Sequence, residues 1–433
     1  MDKQQKIDKE KFKQIFKDHF AEFQKQNSRY NNDYYTEVIE KMIGCVEKDS
    51  GYAKYRCMHC GEERIVPFSC KSSFCLSCAR IKLEQWLAKV EDILFDEVDY
   101  RHVILTVPEP LRIYFYNKPQ KLDKLIKCGI EMLKEFMSEI HGAEIEFGYI
   151  VVLQTAGRSA QYNPHLHIMM TAGGLDREDN WHDIDYVPFD YLHKKWQYFL
   201  FKMMRQEFGK IVNSLIDELY RKYPEGIVAH IKMEKVPKKE QLAKYLMKYV
   251  GSPPIALSRI LKYDGKSVRY WYKDHRTDKK VVEEVSVITF IGRMVQHILP
   301  KGFQRVRYYG LHATCKAKKV AIKLKDIFNT ALHAAKKVIN KVQKTNKRYR
   351  ERIKELTGDD PFICPNCGEE MILWEIWVPG YGKIYDELEE IRSGKYDPIE
   401  FEEESKKEAA GKDRGRNGDA LWRRTNILQL SLW

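Results

Sequence analysis

The chain has 433 residues, 43% hydrophobic and 12% aromatic, enough for two or three folded domains and too apolar for a wholly disordered polypeptide. Lysine and arginine number 75 against 62 acidic residues, a formal surplus of +13. No run of 18 apolar residues occurs and the opening MDKQQKIDKEKFKQIFKDHF is charged, so export and membrane insertion are not expected and a cytoplasmic location is.

In chain order, about the first 40 residues read as charged helix. A Cys-rich segment follows as far as Cys78, and Ile81 to Phe95 has helical periodicity. RHVILTV is a β-branched run stopped by Pro108 and Pro110, and a helix is predicted from Pro119 to about His141. Strands are predicted at Phe147 to Thr155 and Leu166 to Thr171, then a long aromatic-rich helix from Asp190 to Tyr223 and a strand from Gly226 to Val236. Lys238 to Val250 reads as a helix stopped by Gly251, Pro253 and Pro254. Further strands are expected at Ser267 to Lys273, Val281 to Ile288 and Arg305 to Tyr309. Strands alternating with helices make the central domain α/β or α+β.

Charge is placed unevenly. Between Lys316 and Glu355 there are 14 basic residues and 3 acids, with Val320, Leu324, Ile327, Ala331 and Ala335 at helical spacing. An amphipathic helix whose face carries Lys318, Lys319, Lys336 and Lys337 suits a polyanion, which makes nucleic acid the expected partner. After Trp374 the chain turns acidic, with nine acids and two basic residues from Asp386 to Glu404, and the tail is expected to be poorly ordered.

Ten cysteines with no secretory signal point to metal rather than disulfides. Cys57-x2-Cys60 and Cys75-x2-Cys78 are two knuckles separated by 14 residues, one short of the usual range, and are expected to share one structural Zn²⁺. Cys45, His59 and Cys70 are spares or parts of another site. Cys364-x2-Cys367 is a third knuckle with no Cys or His after it, so its partners lie upstream. His312 and Cys315 have matching spacing and are the expected partners in a second, Cys₃His zinc site.

In PHLHIMM, His165 and His167 are two apart in a predicted strand and project from one face, as the ligands of a single divalent cation would. Tyr245 and Tyr249 are four apart on a predicted helix and share a face, with Lys238, Lys239, Lys244 and Lys248 supplying positive charge where a phosphodiester would approach.

These residues resemble a known family, the two-tyrosine HUH transposases of the insertion-sequence-ninety-one family, over roughly Cys45 to Ala313. SCKSSFCLSC resembles its N-terminal zinc-binding segment, RHVILTVPEPLR its first core strand, NPHLHIMMTAGG its metal-binding strand and KYLMKYVGSPPIALSRI its nucleophile helix. FIGRMVQHILPKGFQRVRYYG resembles its distal block. Phe74 departs from it, since the family commonly has a histidine there. The resemblance implies an α+β, ferredoxin-like nuclease core that nicks single-stranded DNA at the ends of an element, with the protein working at the nucleoid.

Tyrosine has a pKa near ~10, so attack by Tyr245 or Tyr249 at neutral pH requires an electrophilic phosphodiester. A cation on His165 and His167 would provide it, leaving a 5′-phosphotyrosine and a 3′-OH so that rejoining needs no ATP. Two histidines under-coordinate a hard ion such as Mg²⁺ or Mn²⁺, and the expected third ligand is Gln154, with Gln241 the runner-up. A rolling-circle replication initiator or relaxase would use the same chemistry, and a non-catalytic zinc-dependent nucleic-acid-binding protein would keep the knuckles and the basic helix. The expected divisions are 1–98 (helical, zinc-binding), 99–310 (nuclease), 311–384 (basic helix and knuckle) and 385–433 (tail).

Overall fold

The computed structural model describes residues 3–76, 78, 79, 86, 90, 93–233, 254–274, 277–328, 360 and 362–393. These residues form two compact units. The larger is built from the described residues of 3–45 and 69–328, the smaller from 46–68 and the described residues from 360 onward. The early strands are β1 (Tyr52–Cys57), β2 (Glu63–Pro67), β3 (Tyr100–Thr106), β4 (Glu146–Ala156), β5 (Tyr162–Leu175), β6 (Trp181–Asp183) and β7 (Ala229–Ile231). They are followed by β8 (Ile260–Tyr263), β9 (Ser267–Lys273), β10 (Lys280–Ser286), β11 (Val306–Gly310), β12 (Met371–Val378) and β13 (Gly382–Asp386).

In the larger unit β3, the helix Pro119–His141, β4, β5, the helix Phe189–Phe208 and β7 succeed one another as β-α-β-β-α-β. Their antiparallel sheet has the order β4-β5-β3-β7, which is the ferredoxin-like arrangement. β11 extends it beside β4, and β6 pairs with the end of β5. The fold is therefore α+β. Pro119 sits in the first turn of its helix, where its missing N–H costs nothing, and Gly142 closes the helix in the left-handed region at φ +63°. The buried stripe Leu122, Leu125, Ile126, Leu133 and Phe136 packs with Leu105 and Val103 of β3, Val151 and Leu153 of β4 and Leu166, Ile168 and Met170 of β5. Each such side chain contributes roughly 1.5–3 kcal/mol on full burial. Because strand residues alternate, this core turns His165 and His167 to the other face.

A second sheet, ordered β10-β9-β8, shares a core with the helix Lys3–Gln26 and the helix Val287–Val295, centred on Ile15, Phe16, Tyr270, Phe290 and Ile291. The smaller unit is a four-stranded sheet, β13-β12-β1-β2, over a core of Ala53, Tyr55, Cys57, Cys364 and Met371. Among the described residues no helix is long and apolar enough to cross a membrane.

Several expectations change. The single helix from Asp190 to Tyr223 is two, Phe189–Phe208 and Asn213–Lys222, because Gly209 adopts φ +60° and ends the first. The strand expected to reach Ile288 stops at Ser286, whose Oγ accepts a hydrogen bond from Thr289 N at 3.2 Å and starts a helix instead. The segment after residue 384 is ordered at its start, as the end of β13 and the helix Glu387–Arg392 capped by Asp386. The knuckle Cys364–Cys367, assigned with the basic helix, instead shares its unit with residues 46–68. The basic helix is described over Ala317–Ile327, and its continuation lies outside the described residues.

Candidate active site and metal centres

Register brings the histidines together. Across the sheet His165 faces Gln154 of β4 and Thr106 of β3, while His167 faces Val152 and Ile104. Residues directly opposite in antiparallel strands share a face, so Gln154, His165 and His167 stand side by side. His167 Nε2 and Gln154 Oε1 are 3.2 Å apart, and the two imidazole rings lie 4.8 Å apart, centroid to centroid. His165 Nδ1 donates to the carbonyl of Asn163 at 2.7 Å, which leaves its Nε2 with a free lone pair. Burial holds His165 below the usual histidine range and pushes His167 down to about 2, the neighbouring His165 and His102 adding to the effect. Both rings are thus neutral at physiological pH, the form that ligates metal.

His102 on β3 belongs to the same cluster and was not singled out in the sequence. It is 1% exposed, and its Nε2 lies 2.9 Å from His167 Nδ1. With His167 Nε2–H donated to Gln154, Nδ1 accepts from His102. In the opposite tautomer Nδ1–H donates to His102 and Nε2 offers its lone pair beside Gln154 Oε1. A partner of that kind fixes the orientation of a metal-ligating histidine. The signal for it was a histidine inside the apolar run RHVILTV, on the alternate that points away from Val103 and Leu105. Tyr245, Tyr249, Gln241, Lys244 and Lys248 lie outside the described residues, as do Lys336 and Lys337.

The cysteines group differently from the order in which the knuckles follow one another. Cys45, Cys70, Cys75 and Cys78 place their sulfurs within 4.8 Å of one another, and Cys57, Cys60, Cys364 and Cys367 do the same in the smaller unit. The expected set Cys57, Cys60, Cys75 and Cys78 is thus divided between two clusters. The reason is the antiparallel pairing of β1 with β12, which carries the Cys57 end of β1 to Met371, beside the third knuckle. His312 and Cys315 join neither cluster. His312 is buried, stacked on Phe95 at 4.4 Å and 3.0 Å from the Tyr100 hydroxyl, while Cys315 is exposed. His59 is exposed within its knuckle.

The first cluster fits a tetrahedral thiolate zinc site. Its Cys45 and Cys78 sulfurs are 3.5 Å apart, as are those of Cys70 and Cys78. Hydrogen bonding from Cys70 draws the Cys45 thiol down to about 7, and that same bond to Cys45 pushes Cys70 up, because four sulfurs at this spacing carry their charges together only around a cation. Phe74 is 6% exposed and packs edge-on against Phe16 at 5.6 Å, so that position is core.

Residues 148–320 match a family described as a putative transposase, and residues 15–107 match a transposase zinc-binding domain. A putative transposase, y4qJ, of Sinorhizobium fredii (strain NBRC 101917 / NGR234) is 28% identical over 351 residues, which cover 76% of this chain and 87% of that protein. The transposase for insertion sequence element IS801 of Pseudomonas savastanoi pv. phaseolicola is 26% identical over 355 residues, covering 78% and 83%. No solved structure matches.

Proposed function

Because the chain belongs to the insertion-sequence-ninety-one family of transposases and carries its N-terminal zinc-binding domain, we propose that it nicks and rejoins single-stranded DNA at the ends of an insertion sequence, in a rolling-circle-like reaction at the nucleoid. The observation that carries this reading is the convergence of His165, His167 and Gln154 on one face of the ferredoxin-like sheet. Two neutral imidazoles and an amide oxygen are a donor set suited to a single Mg²⁺ or Mn²⁺. Bound there, the ion would supply positive charge to a scissile phosphate.

The chain's own residues then divide the work. His102 and the Asn163 carbonyl orient the two imidazoles. Tyr245 or Tyr249 attacks phosphorus, its O–P bond forms as the bond to the departing 3′ oxygen breaks, and a 5′-phosphotyrosine and a free 3′-OH result. Attack by a 3′-OH on that ester reverses the exchange and releases the tyrosine, so the bond energy is kept. Two tyrosines permit two such ester exchanges without intervening hydrolysis. Lys244 and Lys248, with the basic helix, would hold the strand through its phosphates.

The test is cleavage of end-labelled single-stranded DNA with Mn²⁺ or Mg²⁺. His165→Ala with His167→Ala should lower nicking by roughly 10²-fold or more while DNA binding persists, since phosphate contacts supply most affinity. The Tyr245→Phe, Tyr249→Phe double variant should form no covalent adduct, and each single variant should form some. Undiminished cleavage without the histidines, or an adduct without the tyrosines, would remove the assignment.

A further inference from the structure

Cys364 and Cys367 lie beyond both stretches that match the family, and the partners expected for them stand elsewhere. We propose that Cys57, Cys60, Cys364 and Cys367 form a second structural zinc site, a tetrathiolate whose halves come from segments more than 300 residues apart in sequence.

The sulfur geometry is that of a shared cation. Cys57 and Cys367 sulfurs are 3.4 Å apart and those of Cys60 and Cys364 3.5 Å, with all four within 4.8 Å. Tetrahedral Zn–S bonds of about 2.3 Å put sulfurs about 3.8 Å from one another, whereas a disulfide brings them to about 2 Å.

The same turn is built twice. In the first half Cys57 N donates to Glu62 O at 2.8 Å and Gly61 N to Cys57 O at 2.9 Å. In the second, Cys364 N donates to Glu369 O at 2.8 Å and Gly368 N to Cys364 O at 3.0 Å. Both turns are Cys-x2-Cys-Gly, and both glycines take the left-handed conformation, at φ +78° and +81°. The two halves share the sequence Cys-x2-Cys-Gly-Glu-Glu, CMHCGEE from Cys57 and CPNCGEE from Cys364, and each turn presents two sulfurs to one point. The pairing of β1 with β12, Cys57 opposite Met371, sets them face to face.

Two of the ligands are also part of the core of the smaller unit. Among its described residues, the buried apolar cluster of Ala53, Tyr55 and Met371 includes the ligands Cys57 and Cys364. Small domains commonly supplement their cores with metal or disulfides, and here two of the candidate ligands are themselves core residues. Soft thiolates in a tetrahedral set select Zn²⁺ among the common hard and borderline ions, and its binding energy becomes folding energy of the unit. Residues near both ends of the chain are thereby joined, and β12 and β13 are fixed to the hairpin of β1 and β2.

The measurement is zinc per chain in protein purified under reducing conditions, with the alkylation rate of each cysteine read by mass spectrometry. The intact chain should hold two equivalents. Cys364→Ser with Cys367→Ser should hold one, Cys70→Ser with Cys75→Ser should also hold one, and the two losses should combine in the quadruple variant. Cys60 and Cys367 are exposed, so in the intact protein they should resist alkylation until a chelator is added, a readout independent of whether any variant folds. Rapid alkylation of both without chelator, a single equivalent in the intact chain, unchanged zinc in the Cys364, Cys367 variant, or iron in place of zinc would each overturn the site.

Discussion

His312 shows how one side chain is read differently by spacing and by packing. Its x2 separation from Cys315 suggested a ligand, yet the ring lies between Phe95 and the Tyr100 hydroxyl, over Gly148, where any Cβ would meet its Cδ2. Burial pushes its pKa down to about 3, against ~6.5 in an unfolded chain. The fold therefore favours the neutral ring. Its contribution to stability is fully present above the unfolded value and is lost as pH falls from about 6.5 toward 3, where the unfolded chain alone takes up the proton. Below the unfolded pKa this amounts to roughly 1.4 kcal/mol per pH unit. Urea unfolding of the intact protein and of His312→Gln, compared between pH 6.5 and 4.5, should show the steeper loss in the intact protein. Equal slopes would mean that the ring is protonated in the fold. His102 reports the same principle at the candidate site, where a histidine read only as part of a β-branched run lies 2.9 Å from the ring of His167.

At the scale of elements, β11 ends on Gly310, which pairs with Gly148 of β4 at φ +59°. A Cβ there would collide with the carbonyl oxygen of Phe147, which accepts a hydrogen bond from Leu311 N at 3.1 Å. Because the obstacle is backbone rather than a flexible side chain, Gly310→Ala should cost about 3 kcal/mol or more, read as a fall in the chemical-denaturation midpoint. A cost below ~1 kcal/mol would show that the strand end relaxes freely. The elements legible in the sequence are those set by local pattern: β3 from its β-branched run, the helix Pro119–His141 from its periodicity and terminal Pro and Gly, and the shared face of His165 and His167 from strand alternation. Those not legible depend on distant partners. For β1 and β12, it is their mutual register, Tyr52 opposite Trp377, that decides which knuckle meets which. Adjacent CxxC pairs in sequence were the natural choice; the 14-residue gap, one short of the usual range, and the CxxCGEE shared by the first and third knuckles were signs against it.

Across the whole molecule, the surplus of +13 is concentrated between Lys316 and Glu355, and the described start of that stretch shows how its charge is used. Lys316 is paired with Glu146, and Lys323 with Asp179 at 2.5 Å, so these two cations tie the helix Ala317–Ile327 to the larger unit. Lys318 and Lys319 are exposed and make no ion pair among the described residues. A groove beside this helix is lined by Lys134, Arg177, Lys316, Lys319 and Lys323 as well as by Glu144, Glu146, Asp176 and Asp179. The acids already neutralise much of it, so Lys318 and Lys319, exposed and without an ion pair among the described residues, are the ones placed for phosphates. Each phosphate that a lysine neutralises on a single strand contributes about 0.7 to the slope of log K against log salt. Lys318→Gln with Lys319→Gln should therefore lower that slope by about 1.4 and weaken binding similarly for all sequences, while cleavage at saturating DNA stays unchanged. A salt titration of single-stranded DNA binding by fluorescence anisotropy measures it. An unaltered slope would assign the helix's outer face to solvent and leave the polyanion contact to other lysines.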